Sequence, residues 1–134
     1  MQIKLIPLQA HGDERGSLIA LEQDKNIPFP IKRVYYIFDT QEGVTRGFHA
    51  HKELKQVAIA VKGSCRFLLD DGKEKVSFLL DNAAQGLLIE SCIWREMSDF
   101  SEDCVLMVLA DNFYDESDYI RDYVDFIKAV HKPY

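Results

Sequence analysis

Apolar positions come in short runs through residues 1–110: IKLIPL, SLIALEQ, IKRVYYIF, QVAIAVKG, SCRFLLDDG, KVSFLL, GLLIE, CIWREM and CVLMVLA. Turn-forming residues separate these β-rich runs, a spacing that predicts an antiparallel sandwich or barrel. Asp71-Gly72 predicts a tight two-residue hairpin turn, since Asp-Gly readily supplies the positive φ angles such a turn needs. The period changes in ESDYIRDYVDFIKAVHK, where Tyr119, Ile120, Tyr123, Phe126, Ile127 and Val130 recur at helical spacing. That pattern predicts one amphipathic C-terminal helix, with Ser117 as its cap. There is no internal repeat, linker or low-complexity stretch, so residues 1–134 are expected to form a single domain, all-β with one terminal α-helix.

Charge narrows the function classes. The 134 residues carry a net charge of −6, which argues against broad binding to nucleic acid or to an anionic membrane, because both require a basic face. Any anionic ligand must be held by a local cluster of arginines. The N-terminus MQIKLIPLQAHGDERG has neither the apolar core nor the small-residue cleavage site of a signal peptide, and no run is long enough to span a bilayer. A cytoplasmic location is expected. Cys65, Cys92 and Cys104 show no C-x-x-C spacing and read as reduced, buried small hydrophobes.

The stretch GVTRGFHAHKELKQ carries the chemistry. His49 and His51 are two apart, so on a strand they share a face and can converge on one ligand. The spacing from Gly43 through His49, His51 and Gln56 to Gly63 resembles the first motif of the cupin family, and GLLIESCIWREM resembles the second. Gln56 stands where cupins carry an acidic ligand, and Arg95 where they carry a further histidine. A divalent metal needs three or four neutral imidazole or anionic ligands, and a protonated guanidinium cannot be one. The site therefore reads as a metal-free acid–base centre, in which imidazoles can both accept and donate protons.

Four further stretches sharpen the resemblance. Asp13 to Leu18, Lys32 to Asp39, Arg46 to Lys52 and Trp94 to Ser101 are similar to the D-x-RGSL, K-RVYYIFD, RG-HAHK and W-[HR]-EM-DFS stretches of the WxcM-like dTDP-4-oxo-6-deoxy-D-glucose 3,4-ketoisomerases, and LADNFYDESDYIRDY is similar as well. The resemblance implies a small cupin, a β-barrel or jelly roll. Its substrate would be a dTDP-linked 4-keto-6-deoxy sugar, its ketone moving from C4 to C3 through an enediol(ate), in the supply of deoxyamino sugars for surface glycans. Neither a redox cofactor nor a metal is needed for that step. The resemblance also implies a homodimer with exchanged N-terminal strands, which the apolar run IKLIPL would suit as a sheet edge. The alternatives are a dTDP-sugar 3,5-epimerase, against which the second histidine and the short chain argue, and a non-catalytic sugar-nucleotide-binding cupin.

Roles follow residue by residue. His49 and His51 are jointly the proton-transfer pair. Tyr35 shares a strand face with Arg33 and could donate to the enediolate oxygen; Tyr36, on the other face, reads as packing. Arg15 and Arg46, by resemblance, and then Arg33, are the candidates for the diphosphate, which suits arginine's planar fork. Simple alternation puts Arg46 opposite His49, so it needs a bulge or a place at the strand's start. Arg95 is expected to line the pocket, and Gln56 to hydrogen-bond a histidine or the sugar.

Overall fold

A computed structural model of the chain describes residues 1–131. Its strands are β1 (Lys4–Pro7), β2 (Ala10–Asp13), β3 (Gly16–Ile19), β4 (Arg33–Ile37), β5 (Arg46–His51), β6 (Gln56–Lys62), β7 (Cys65–Asp70), β8 (Lys75–Leu80), β9 (Gln85–Ile89), β10 (Trp94–Ser98), β11 (Val105–Ala110) and β12 (Tyr119–Ile120). Helix α1 (Tyr123–Val130) follows. Two antiparallel five-stranded sheets, β1-β9-β6-β11-β4 and β12-β5-β10-β7-β8, pack face to face, and β2 and β3 form a separate hairpin. The result is a cupin-like jelly roll whose sheets keep open edges and do not close into a barrel.

Strand β6 shows how the sequence builds these layers. Val57, Ala58, Ile59 and Ala60 are all buried. Ala58 and Ala60 face the opposite sheet with Phe67, Leu87 and Leu106, while Val57 and Ile59 face the segment that carries Ile27 and Phe29. A strand covered on both sides reads as a continuous apolar run, as QVAIAV does. Each large side chain buried this way stabilises the fold by about 1.5–3 kcal/mol. The inter-sheet space is apolar toward Leu80 and Leu106, whereas β4, β5, β6 and β10 contribute Tyr35, His51, Gln56 and Arg95 to it. Alternation puts these polar side chains on inward faces.

Several local expectations are corrected. The β7–β8 connection is four residues long, Asp71 to Glu74, with Asp70 opposite Lys75 as the last pair. The Asp71 carboxylate accepts from the N–H groups of Lys73 and Glu74, each at 2.8 Å, which stabilises the longer loop, and Gly72 supplies the positive φ of 93°. Ser117 does not cap the helix: it sits in a 3-10 turn, Glu116–Asp118. Asp122 is the cap, accepting from Val124 and Asp125 N–H at 2.8 and 3.1 Å. Tyr119 and Ile120 leave the helical pattern because they pair with β5, Tyr119 opposite His51 and Ile120 opposite Ala50. Residues 10–13, which lie outside the apolar runs, pair with β3, and that strand stops at Ile19, short of the end of the SLIALEQ run. Tyr36 does not pack inward; it is 63% exposed beside Phe38 on the outer face of edge strand β4. Cys65 and Cys104 are buried as expected, but Cys92 is partly exposed at a turn position with φ 61°.

Helix α1 lies on the outside of the second sheet. Phe126, fully buried, packs against Trp94, Ala50 and Ile120. At the opposite side of the fold, β1 is the edge of its sheet and pairs with β9 of the same chain. No helix among the described residues is long and apolar enough to cross a membrane.

Candidate active site

The histidine strand is not regular. Arg95 of β10 pairs with His49, and Glu96 pairs with Gly47, which leaves Phe48 as an extra, unpaired residue. This is the bulge that Arg46 requires, because the added residue brings positions 46 and 49 to the same side. Gly47 and Phe48 both take positive φ values, 94° and 59°. Glycine is needed at position 47 for a second reason: a Cβ there would meet the Arg95 carbonyl oxygen at 2.8 Å.

The bulge opens onto a cavity of about 500 Å³ lined by Arg33, Tyr35, Arg46, His49, Tyr119 and Arg121, with apolar cover from Ile37 and Met97. A second cavity of about 270 Å³ shares Arg33 and Tyr119 with the first and reaches His51, Asp118 and Glu53. The two imidazoles lie edge to face, ring centroids 4.9 Å apart, and the Tyr119 ring packs on both, at 5.0 Å from His49 and 4.4 Å from His51. His51 is 1% exposed, and its Nδ1 lies 3.1 Å from Asp118 Oδ2. His51 Nε2 and His49 Nδ1 are buried without a hydrogen-bond partner.

Burial dominates the electrostatics. It pulls the His49 pKa down to about 4, with the Arg95 cation as the next cause. His51 is lowered further, again by burial first and then by Arg95 and His49. Both rings are therefore neutral near pH 7 and free to accept a proton. Burial also raises the Tyr35 pKa, which keeps the phenol protonated and able to donate. Arg95 is lowered to about 10 by desolvation and stays cationic at neutral pH.

Gln56 and Arg95 depart from their expected places. Both are buried, 3% and 2% exposed, and neither lines the two cavities. The Arg95 guanidinium donates to the Gln56 side-chain carbonyl through Nη1 and to the Ile93 carbonyl through Nη2 at 2.9 Å. Gln56 Nε2 donates in turn to Tyr35 Oη at 3.2 Å. Gln56 thus bonds Tyr35 rather than a histidine, and Arg95 supports the phenol from behind instead of facing the cavity. The reason is hydrogen-bond supply: Arg95 finds its acceptors inside the core, so nothing draws it outward. Among the described residues, no three His, Cys, Asp or Glu side chains converge to hold a metal ion.

The structure unites His49, Tyr35, Arg33 and Arg46 around one cavity, with His51 in the adjoining one. Arg15 is not among them. It sits at the tip of the β2–β3 hairpin, 85% exposed at its side chain and paired with Asp13 at 2.7 Å. Sequence reasoning missed Asp118, Tyr119 and Arg121. Arg121 stacks on Tyr119, 4.1 Å to the ring centroid, and is held by Glu116 at 2.6 and 2.9 Å. The acidic turn DESD before an aromatic was the available signal, but helical periodicity claimed Tyr119 first.

Residues 1–131 match the family described as FdtA: WxcM-like, C-terminal. The chain belongs to this family. A relative from Aneurinibacillus thermoaerophilus, TDP-4-oxo-6-deoxy-alpha-D-glucose-3,4-oxoisomerase, is 54% identical over 132 residues, 98% of this chain and 95% of the relative. The crystal structure of a 3,4-ketoisomerase from Helicobacter canadensis superposes with a TM-score of 0.95 at 50% identity, covering 98% of this chain and 99% of that one. A histidine-to-asparagine variant of the 3,4-ketoisomerase QdtA from Thermoanaerobacterium thermosaccharolyticum, in complex with TDP-4-keto-6-deoxyglucose, gives 0.95 at 43% identity over 97% and 94% of the two chains. The family's members share the cupin-like architecture seen here.

Proposed function

We propose that the chain is a 3,4-ketoisomerase that acts on TDP-4-keto-6-deoxyglucose. One observation carries the reading: two neutral imidazoles with unpartnered ring nitrogens stand beside a protonated phenol and an arginine-lined cavity, in a chain whose relatives have this activity. His49 faces the larger cavity and takes the C3 proton. The electron pair of that C–H bond forms the C3–C4 double bond, and the C4 carbonyl oxygen becomes an enediolate oxygen to which Tyr35 donates. A proton then returns to C4 while the 3-hydroxyl proton moves to the other oxygen, so the ketone ends at C3 with no change in redox state. Arg33, Arg46 and Arg121 hold the diphosphate. Met97 and Ile37 limit water around the reacting carbons.

The test is incubation with TDP-4-keto-6-deoxyglucose in deuterated water. A ketoisomerase gives a 3-keto product labelled at C4. Label at C3 and C5 with the ketone still at C4 would indicate a 3,5-epimerase, and an unlabelled, unchanged sugar would indicate a binder; either would overturn the reading. The working place of such an enzyme is the cytoplasm, in the supply of deoxyamino sugars for surface glycans.

We infer further that the chain works as a homodimer with exchanged N-terminal strands. β1 has one unpaired flank, and Val34, Tyr36 and Phe38 lie 50%, 63% and 56% exposed. Exchange keeps the same β1–β9 pairing, made between copies. In that assembly Arg15 serves the cavity of the second copy, as it does not reach its own. Light scattering at micromolar concentration is expected to give the dimer mass; a monomer would contradict the inference.

A further inference from the structure

Asp118 stands 67 residues from His51 in sequence, yet its Oδ2 lies 3.1 Å from His51 Nδ1. The same carboxylate accepts from the backbone N–H of Glu53 at 2.9 Å and of Leu54 at 3.3 Å, and the Asp118 carbonyl accepts from Lys52 N–H at 2.9 Å. These donors come from the residues that immediately follow the histidine strand, so Asp118 is clamped to the end of β5. An ionised carboxylate can only accept hydrogen bonds, so the ring nitrogen that meets it must carry the proton. His51 is therefore the Nδ1–H tautomer, and its lone pair sits on Nε2. That nitrogen is buried with no partner in the chain. Leaving a buried acceptor unpaired is destabilising, and a ligand atom or a transferred proton would remove that cost.

We propose that Asp118 is a positioning residue of the reaction: it holds His51 as the Nδ1–H tautomer, leaves Nε2 bare for the proton that departs from the 3-hydroxyl, and faces the cation that forms. The proposal rests on the ketoisomerase reading. When Nε2 takes that proton, the O–H bonding pair stays on the 3-oxygen, which becomes the new carbonyl oxygen, and the ring passes from neutral to cationic until it gives the proton up toward the 4-oxygen. Arg95 from β10, Arg33 from β4, His49 on β5 and Arg121 beyond β12 all oppose the new charge, and the neutral Tyr119 ring covers the imidazole. Asp118 is the anion in direct contact with it. A neighbouring anion attracts the protonated ring more strongly than the neutral one, so it lowers the barrier more than it stabilises the resting state, which is what acceleration requires.

Asp118→Asn removes the charge while keeping an acceptor oxygen for one of the two N–H groups, that of Glu53 on Oδ1. Its kcat is expected to fall roughly ten- to hundredfold, with KM changed by less than about threefold. The acid limb of the kcat–pH profile should move to lower pH, because the imidazolium loses its counter-ion. Asp118→Glu should recover part of the rate. Nitrogen-15 NMR of the histidine-labelled wild-type protein near pH 7 should show a protonated Nδ1 and a bare Nε2 on His51. An Nε2–H ring in the wild type, or an Asn variant with unchanged kcat and pH profile, would overturn the proposal. The tautomer is read without turnover, so an Nε2–H ring would sink this proposal alone. A deuterium experiment without the C4 label would instead sink the ketoisomerase reading and the dyad's role with it.

Discussion

His49→Asn is expected to lower turnover by roughly two or more orders of magnitude while nucleotide-sugar binding is retained within a few-fold. Asparagine matches the imidazole approximately in size and polarity but has no nitrogen that can accept and release a proton near neutrality. His49 lines the cavity with Tyr35 and the arginines, and its pKa, drawn down to about 4 by burial, keeps the ring unprotonated before the substrate arrives. Arg33 and Arg121 lie on other segments and Arg46 sits at the start of β5, three residues before His49, so diphosphate contacts should survive. A histidine-to-asparagine variant of QdtA has been crystallised with TDP-4-keto-6-deoxyglucose, which shows binding without an intact histidine set in that relative. Steady-state kinetics and calorimetric titration with TDP would check both halves. Near-normal turnover in the variant would remove His49 from the chemistry.

Phe126→Ala should destabilise the protein by about 3–5 kcal/mol, the usual cost of deleting a fully buried aromatic ring and leaving a cavity. Phe126 is 0% exposed. Its ring contacts Trp94 at 5.8 Å and Tyr123 at 5.8 Å between centroids, and it shares a cluster with Ile120 and Ala50. Ile120 belongs to β12, whose pairing with β5 sets Tyr119 beside His51. Loss of the anchor should therefore loosen the strand that carries Tyr119, and activity per folded molecule should fall along with stability. The urea midpoint and the specific activity of variant and parent at one temperature give both numbers. A loss below about 1 kcal/mol would show that α1 is not what holds this wall of the site.

Much of the strand content and the convergence of one histidine pair were legible in the residues. Alternation and β-rich runs located β4 and β6 to β11 and put Tyr35 and Arg33 on one shared face, because a strand's side-chain period of two depends on local geometry alone, though not which face is buried. The same rule put His49 and His51 together, and its conflict with Arg46 called for a bulge or a place at the strand's start; Phe48 supplies the bulge, and Arg46 also opens β5. The period-based reading failed at Tyr119 and Ile120, where helical spacing was real but a free strand edge offered better hydrogen bonding than a longer helix.

The shared face of His49 and His51 and the place of Tyr35 beside Arg33 were thus set by residue types and their spacing along single strands. Only the tertiary structure decided the rest: that Arg95 and Gln56 turn inward to hold Tyr35, that Arg121 joins Arg33 and Arg46, and that Asp118 meets His51. Each of those contacts joins segments far apart in the chain, and a hydrogen bond depends on distances of about 3 Å in space that no periodicity along one strand encodes.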